Sequence, residues 1–217
     1  MDFYFAPLAC SMATRIALYE LDAKANFIYV DIHTDPDKRL LADGSDYHAI
    51  NPMGQVPAIR TDAGEMITEN PVVLQYVADL YPQNGLAPTG GMDRYRLQQW
   101  LNFIATELHK ATYIPLLNRG NPEGAKEFAR KKLPLRMTYL SSQLEKSGFM
   151  LERFSIADCY LVTVLNWSAA AAIDLAEWPV IAAYYARMCQ RPSVARAIAD
   201  ERPIYAAEME RKQRAAA

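Results

Sequence analysis

The chain of 217 residues has only three cysteines, in no Cys-x-x-Cys or Cys/His pattern of the kind that binds zinc. Three cysteines cannot all pair, so the composition excludes a disulfide scaffold and favours a reducing cytoplasm, where single thiols persist. No apolar run approaches the roughly 18 residues that span a bilayer, and the start, MDFYFAP, lacks the basic segment of a secretory signal. We therefore expect a cytoplasmic protein without a structural metal or a membrane anchor.

An excess of charge of one sign is also missing. The 23 Lys and Arg residues against 25 Asp and Glu residues give a net charge of −2, and the pI is near 5.9. This balance is not typical of a nucleic-acid-binding protein. The charge is unevenly spread, because residues 1–85 carry 5 basic and 12 acidic side chains, whereas the rest carries 18 and 13. Such a division is consistent with two domains, and equally with ordinary solvated surfaces.

Two patterns of structure are predicted along the chain. The first part alternates short apolar strands with helices, whereas no convincing strand is predicted after the Gly- and Pro-rich segment QNGLAPTGG. The sequence thus predicts an α/β domain at 1–82, a linker at 83–91 and an all-helical domain at 92–217. The expected helices of the second part begin with the stripe Leu97, Leu101, Ile104 and Leu108 and continue near 123–147, 156–173, 178–190 and 193–201.

Cys10 lies between the first strand and a helix expected to start at Ser11. The unpaired N–H groups and partial positive charge of a helix N-terminus favour a thiolate, so this position predicts a lowered thiol pKa. A small residue in a tight turn is the other interpretation. Cys159 and Cys189 fall in apolar helical stretches, where we expect unreactive core thiols.

Two loops are candidates for ligand contact. The segment 51–57, NPMGQVP, predicts an irregular loop that enters a strand, and a cis bond before Pro57 would leave the backbone of Val56 free for an extended peptide. Glu69 and Asn70 stand before a predicted helix, where Asn70 is suited to the N-cap. An ordinary structural cap explains the second loop as well as an anion site does.

Polar residues also occur at regular spacing in the predicted helical domain. Asn102, Thr106 and His109 are four and three residues apart, so they are expected to share one helix face, either exposed or lining a cleft. Ser155 and Asp158 precede an apolar run at the spacing of a structural capping box.

Five segments of the chain together resemble bacterial beta-class glutathione S-transferases: FYFAPLACSMATRIAL, NPMGQVPAI, ITENPVVLQYVADLYP, YRLQQWLNFIATELHK and FSIADCYLVTVLNW. The resemblance implies an N-terminal thioredoxin-like domain of order βαβαββα, then an all-helical domain, in a homodimer. It implies a transferase acting in detoxification, with glutathione as co-substrate and a small hydrophobic electrophile as second substrate.

The resemblance also assigns roles to residues of this chain. Cys10 would face the glutathione sulfur, and Val56, before a cis Pro57, would bind the cysteinyl backbone. Glu69 and Asn70 would hold the γ-glutamyl end.

Further residues follow from the same resemblance. The other expected glutathione-binding residues are Gln55, Asn102, Thr106 and either Lys38 or Arg39 for the glycyl carboxylate. His109 would approach the sulfur as a second catalytic residue. The expected electrophile pocket consists of Phe5, Leu8, Tyr113 and Trp167. Phe5, Leu8 and Asn70 depart from the family's usual residues, which bears mainly on the range of electrophiles.

Two chemistries and two alternatives follow. The glutathione thiolate would attack electrophiles to give thioethers, and Cys10 would additionally support thiol–disulfide exchange or peroxide reduction. The alternatives are a specialised glutathione-dependent isomerase, dehalogenase or etherase, and a non-catalytic interaction protein of the same fold.

Overall fold

The computed structural model describes residues 1–35, 37–118 and 120–215. Within it the chain divides into two compact units. Unit 1 is made of Met1–Val77 together with the C-terminal segment from Pro192, and unit 2 is Ala78–Arg191. The predicted domains differ from this division, because their boundary lies at 82 and they assign the C-terminal segment to the helical part.

Unit 1 is built on a five-stranded mixed sheet. Its elements in chain order are β1 (Asp2–Phe5), α1 (Met12–Glu20), β2 (Asn26–Asp31), β3 (Leu40–Leu41), β4 (Ala58–Arg60), β5 (Met66–Ile67) and α2 (Asn70–Asp79). The strand order is β3-β2-β1-β4-β5, in which β1 and β2 are parallel and the other pairs antiparallel. The predicted α/β class is confirmed, although between β2 and β4 the structure has β3 and a short 3₁₀ turn, Tyr47–Ala49.

The apolar run at the start of the chain forms the central strand. Phe3, Tyr4 and Phe5 of β1 are all at most 3% exposed. A strand covered on both faces needs apolar residues at every position, which explains why this run does not alternate. Helix α1 covers the sheet with residues at helical spacing, including Ile16 and Ala17, which are fully buried. The central strand therefore ends directly at the loop that carries Cys10.

Unit 2 consists of helices in its described residues. They are α3 (Gly91–Phe103), a π-helix (Ile104–Tyr113), α4 (Ile114–Leu117), α5 (Glu123–Ser147), α6 (Ile156–Leu165) and α7 (Pro179–Cys189). The prediction of helices without strands is confirmed here. Helix α6 ends at Leu165, before the predicted 173, and successive turns follow, ending near Ala172 with φ 54°.

The predicted linker is partly built into unit 2. Leu86 and Ala87 are buried, and the Leu86 carbonyl accepts the N–H of Ile156 at 3.0 Å. Because Ile156 is the first residue of α6, this bond ties the segment to the start of that helix. The segment thus supports α6 as well as connecting two parts of the chain.

The last helix, α8 (Pro192–Ala215), returns to unit 1. The prediction that this helix ends at 201 is wrong, because it continues through Pro203. A proline in a helix interior removes one backbone hydrogen bond. The buried carboxylates on either side, Glu201 and Glu208, bond to unit 1 and hold both halves of the helix in place.

Candidate functional site

Cys10 is the meeting point of three segments of unit 1. It lies just before Ser11, the N-cap of α1, which begins one residue after the predicted start. Its half-exposed thiol donates to the carbonyl of Val56 at an Sγ–O distance of 3.0 Å. Its own carbonyl accepts Nδ2 of Asn70 at 3.1 Å. Three of the predicted site residues are thus joined by hydrogen bonds.

The loop before β4 carries Val56 two residues before that strand begins. The Val56–Pro57 peptide bond is cis, as the resemblance implies. The preceding carbonyl, of Gln55, accepts two donors, the Tyr47 hydroxyl at 3.0 Å and Asn51 Nδ2 at 2.7 Å. Since β4 pairs only from Ala58 onward, Val56 lies outside the ladder. The two hydrogen bonds to the Gln55 carbonyl therefore hold the loop in place, and Val56 lies beside the Cys10 thiol.

The turn before α2 is arranged differently from the prediction. The Glu69 carbonyl accepts the N–H groups of the residues three and four positions later, at 2.8 and 2.9 Å, so Glu69 takes the N-cap place. The prediction of Asn70 as N-cap is wrong, because its side chain is used instead to hold the Cys10 carbonyl. Glu69 is exposed and has φ 66°, a left-handed conformation that is costly for a residue with a side chain. Such backbone strain clusters at ligand-binding positions.

Arg39 and Lys38 lie in different surroundings. Arg39 packs against the loop before β4. The contact is at Gly54, where an added Cβ atom would lie 3.1 Å from the Cγ of Arg39. Lys38 is exposed, and its Nζ lies 3.4 Å from an Asp35 carboxylate oxygen. The side chain of Gln55 is also exposed, with Nε2 3.5 Å from the carbonyl of Met53. Of the two basic candidates, Arg39 is thus the one next to the Cys10–Val56 region.

Phe5 does not fit its predicted place in a pocket. It is 3% exposed, and the Arg15 guanidinium lies 4.2 Å from its ring centroid. The physical reason is that β1 is the central strand, so its side chains fill the core of unit 1. Leu8 is half-exposed with φ 55°, and its N–H donates to Glu201 at 2.6 Å. Leu8 therefore remains available as a pocket residue, whereas Phe5 is a core residue.

His109 is buried in unit 2 and belongs to the π-helix. Its Nδ1 lies 2.7 Å from the hydroxyl of Tyr160, and the Trp167 ring packs on it at a centroid distance of 5.0 Å. Burial lowers the pKa of the His109 imidazole to about 3, and the positive charge of Lys110 acts in the same direction. His109 is thus a neutral imidazole at neutral pH.

The expectation that Asn102, Thr106 and His109 share one face is wrong. Asn102 and Thr106 are exposed, with Asn102 Nδ2 on the Gln98 carbonyl at 2.8 Å and Thr106 Oγ1 on the Asn102 carbonyl at 2.9 Å. His109 is only 5% exposed. The cause is the wider i→i+5 winding of the π-helix, which changes the angle between successive residues relative to an α-helix.

The aromatic pocket residues of unit 2 surround Trp167. Tyr113 is fully buried, with its hydroxyl 2.7 Å from Ser168 Oγ and its ring 6.1 Å from Trp167. Trp167 itself is half-buried. Tyr113 therefore supports Trp167 from the interior, and Trp167 offers the accessible apolar surface.

The capping box at the start of α6 is formed. The N–H and hydroxyl of Ser155 both donate to Asp158 at 3.0 Å, and the Asp158 N–H donates to the Ser155 carbonyl at 2.9 Å. Asp158 also accepts the Met150 N–H and the Tyr184 hydroxyl, each at 3.0 Å. Complete burial raises the pKa of Asp158 to about 6, although the four hydrogen bonds that its carboxylate accepts, from Met150, Tyr184 and Ser155, oppose the shift. This network fixes the helix that carries Tyr160.

The other two cysteines differ from Cys10. Cys159 is fully buried in α6, and Cys189 is half-buried at the end of α7. Burial raises the pKa of the Cys189 thiol, with a weaker opposing effect of Tyr185, so its reactive thiolate is disfavoured at neutral pH.

Two residues of the site region were not among the predicted ones. Tyr160, next to His109, lies in an unbroken apolar run, IADCYLVTVL, and nothing in its spacing distinguishes it from a core residue. Glu201 could have been found, because it is seven residues from Glu208 and shares a helix face with buried Val194 and Ala197. A pair of acidic residues on an apolar face indicates buried partners.

The described residues contain neither a metal-binding cluster nor a membrane-spanning helix. No three His, Cys, Asp or Glu side chains in the described part of the chain are placed to hold a metal ion. Over residues 1–35, 37–118 and 120–215, no helix is both long and apolar enough to cross a membrane.

Comparison with known proteins matches both parts of the chain to one family. Residues 9–80 match the model for the glutathione S-transferase N-terminal domain, and residues 103–192 match that for the C-terminal domain. The glutathione S-transferase GstA of Escherichia coli O157:H7 is 39% identical over 203 residues, which are 93% of this chain and 98% of that protein.

Solved structures agree with this assignment. A bacterial beta-class glutathione S-transferase of Sphingomonas chungbukensis superposes with a TM-score of 0.85 at 39% identity, covering 93% of this chain and 98% of that one. A sphingomonad glutathione S-transferase complexed with glutathione gives the same TM-score and coverages at 38% identity. The chain therefore belongs to the glutathione S-transferase family, with a bacterial beta-class member among its structural relatives.

Proposed function

We propose that this enzyme activates the thiol of glutathione as a thiolate and transfers it to small hydrophobic electrophiles, giving thioethers. The observation that carries the proposal is the junction of Cys10, Val56 and Asn70, in which the Cys10 thiol donates to the Val56 carbonyl and the Asn70 side chain at the start of α2 holds the Cys10 carbonyl. It is supported by the sphingomonad relative that is complexed with glutathione.

The backbone of Val56 is suited to an extended tripeptide. Outside the ladder, its N–H and C=O can pair with the cysteinyl residue of glutathione as an added strand. The Cys10 thiol, which now donates to the Val56 carbonyl, would then give up this acceptor and turn to the glutathione sulfur. Binding of the peptide and exposure of the Cys10 thiol to substrate would thus occur together.

The two ends of glutathione carry charge, and unit 1 has matching groups. The γ-glutamyl end is a zwitterion, whose carboxylate suits the Asn70 N–H and the partial positive charge at the start of α2, and whose ammonium suits the exposed Glu69 carboxylate. Arg39, which packs beside Gly54, is the better candidate for the glycyl carboxylate, because Lys38 pairs with Asp35. Gln55 adds an exposed amide beside them.

The residues of unit 2 complete the proposed chemistry. His109 is proposed as the second catalytic residue, which stabilises the sulfur anion, and Asn102 and Thr106 offer polar groups on the exposed surface. Leu8 and Trp167, which the resemblance assigns to the electrophile pocket, are both partly exposed. A homodimer and a cytoplasmic location remain the expectations that the resemblance and the cysteine content support.

The proposal is tested by calorimetric binding of glutathione to the wild type and to Glu69→Gln. We expect the substitution to weaken binding about tenfold, because a charge-assisted hydrogen bond contributes roughly 1.5–3 kcal/mol. Glu65→Gln is the matched control, since Glu65 is equally exposed on the turn between β4 and β5. Absence of glutathione binding by the wild type, or equal affinities of the two variants, would contradict the proposed site.

Thiol–disulfide exchange at Cys10 is a second candidate activity, which the half-exposed thiol favours. The Cys10 thiolate would attack one sulfur of oxidised glutathione, forming a mixed disulfide and releasing one glutathione thiolate. A second glutathione thiolate would then attack the glutathione sulfur of that mixed disulfide, regenerating oxidised glutathione and the Cys10 thiolate. With another disulfide in place of oxidised glutathione, the same two steps replace one of its halves by glutathione and release that half as a thiolate. A second round, in which Cys10 attacks the glutathione sulfur of this mixed disulfide and another glutathione thiolate regenerates Cys10, releases the other half and leaves oxidised glutathione.

Intact mass spectrometry after incubation with oxidised glutathione tests this activity. We expect one glutathionyl adduct, removed by a reductant and mapped to Cys10 by peptide analysis, because Cys159 is fully buried and burial raises the pKa of the Cys189 thiol. Cys189→Ser should keep the adduct and Cys10→Ser should lose it. An adduct on Cys159 or Cys189, or none in the wild type, would refute the redox role.

A further inference from the structure

Two buried side chains of unit 2 form a pair whose function is not explained by packing alone. Nδ1 of His109 and the hydroxyl of Tyr160 are 2.7 Å apart, and the rings meet edge to face at a centroid distance of 6.0 Å. Tyr160 is 1% exposed and His109 is 5% exposed. A hydrogen bond buried this deeply has no competing water, so it fixes the orientation of the imidazole.

The remaining contacts leave one edge of the imidazole ring available. Trp167 packs against His109 at 5.0 Å with the rings inclined by 58°. Among the described residues the ring of His109 makes its hydrogen bond through Nδ1, to Tyr160, which leaves Nε2 for another partner. With Nδ1 held by Tyr160 and the ring packed by Trp167, Nε2 is the atom through which His109 can meet a ligand.

Whether Nε2 of His109 carries a proton depends on the direction of the hydrogen bond between Nδ1 and the Tyr160 hydroxyl. A neutral imidazole has one N–H and one acceptor nitrogen. A phenol is the stronger donor of the two partners and an unprotonated ring nitrogen is the stronger acceptor, so the bond runs from Tyr160 O–H to Nδ1. The ring proton is then on Nε2, which makes that atom a hydrogen-bond donor.

We infer that Tyr160 is a positioning residue for His109: its hydroxyl holds Nδ1, sets the Nε2–H tautomer and aims that N–H as a neutral donor at an anion. If the proposed function holds, that anion is the glutathione thiolate. The inference deepens the proposed function by assigning His109 a donor role rather than that of a base or a cation.

The strong depression of the His109 pKa agrees with this geometry. Burial and the neighbouring Lys110 both favour the neutral ring, so no imidazolium is formed at neutral pH. A hydrogen bond that selects the tautomer is then the means by which this chain can give the ring a defined polarity. The Ser155–Asp158 capping box fixes the start of α6, and Tyr160 lies two residues after Asp158 on that helix.

Nitrogen NMR of protein labelled with ¹⁵N in its histidine rings tests the inference without any substrate. In the wild type at neutral pH we expect Nδ1 of His109 to give the signal of an unprotonated acceptor and Nε2 that of an N–H. In Tyr160→Phe, which removes only the hydroxyl, we expect a mixture of both tautomers. A protonated Nδ1 in the wild type, or an unchanged pattern in Tyr160→Phe, would overturn the inference.

Tyr185→Phe is the matched control for the loss of a hydroxyl. Tyr185 lies on α7, and its hydroxyl donates to Asn166 at 2.9 Å. This variant should keep the wild-type tautomer of His109. If Tyr160→Phe does not fold, the wild-type spectrum alone still decides which ring nitrogen carries the proton.

Steady-state kinetics separates positioning from general stability. We expect Tyr160→Phe to lower kcat about tenfold while KM for glutathione changes little, because a misdirected donor affects the developing anion more than binding of the tripeptide. A rise in KM with unchanged kcat would count against the inference. If the wild type has no transferase activity, the proposed function fails, whereas the tautomer measurement still decides the role of Tyr160.

Discussion

Glu201 is a carboxylate that α8 carries into the interior of unit 1. Its Oε1 bonds to Arg15 Nε at 2.7 Å and its Oε2 accepts the Leu8 N–H at 2.6 Å, with no part of the side chain exposed. Burial raises the pKa of Glu201 to about 7, while the Arg15 charge opposes the shift. Arg15 is therefore what favours the charged carboxylate, and through it the bond that holds the strained Leu8.

Removal of one member of this pair should destabilise the protein strongly. For Arg15→Met we expect the free energy of unfolding at pH 7.5 to fall by about 3 kcal/mol, because a buried charge is left without its partner. Adding Glu201→Gln should recover part of this loss. The measurement is urea denaturation of the two variants and of their combination.

Arg214→Met is the control for loss of an arginine, on the helix α8 that carries Glu201. Arg214 is highly exposed and pairs with Glu210 at 3.5 Å, so its loss should cost less than about 0.5 kcal/mol. A loss for Arg15→Met no larger than for this control would show that the buried pair does not stabilise unit 1.

The candidate site was predictable where short local motifs mark its residues. Cys10 was predicted as a catalytic residue and Val56 and Asn70 as glutathione-binding residues, and hydrogen bonds do join the three. Sequence could not tell Arg39 from Lys38, because both are basic and adjacent, and only the packing against Gly54 separates them. Nor could it show that Phe5 is covered, since that depends on the place of β1 in the sheet.

At the scale of elements, periodicity predicts helices well and their winding poorly. Helix α5 runs over the predicted 123–147, because its apolar residues repeat regularly along one face. The π-helix was not predicted, since its i→i+5 bonding depends on the packing of its neighbours and not on spacing. The Thr112 hydroxyl follows the same i→i+5 spacing, because it donates to the carbonyl of Glu107, five residues earlier.

Asp158 makes the start of α6 sensitive to pH. Burial raises the pKa of the Asp158 carboxyl from its ordinary value of 3.8 to about 6 in the folded protein. Between these values the folded state retains a proton that the unfolded state has lost, so stability falls as pH rises through this window. Below the window both states are protonated, and above it both are ionised, so stability is independent of this group there.

Asp158→Asn should therefore flatten the pH dependence of stability. We expect the slope of the free energy of unfolding between about pH 4 and 6 to be less negative than in the wild type by up to about 1.4 kcal/mol per pH unit. Urea denaturation at closely spaced pH values measures it. Asp174→Asn is the control, because Asp174 is an exposed cap that accepts the Ala176 N–H; parallel wild-type and Asp158→Asn curves would contradict the prediction.

At the scale of the whole molecule, unit 1 is formed by two separate stretches of chain. Glu208 of α8 accepts the N–H groups of Ile32 and His33, at 3.0 and 3.1 Å, where β2 ends. Glu201 accepts that of Leu8. Three backbone donors of the first stretch thus depend on side chains from the last helix.

A chain that ends at Arg191 should show this dependence. We expect the amides of Leu8 and Ile32 to exchange with deuterium at least about tenfold faster than in the full chain, because each loses a carboxylate acceptor. The His33 N–H should change less, since it also donates to Asp31 Oδ1 at 3.2 Å. Amides of α5 serve as the internal reference, and a chain that ends at Arg214 is the control, since it keeps both carboxylates. Unchanged exchange in the shorter chain would contradict the role of α8.

The return of α8 to unit 1 has a consequence for synthesis on the ribosome. Nascent domains usually fold as soon as they emerge, N-terminal ones first. Here the opening 77 residues leave the tunnel long before the carboxylates that complete them, whereas the intervening stretch is contiguous and already whole. Translation order would therefore place maturation of unit 1 last, after α8 has left the tunnel.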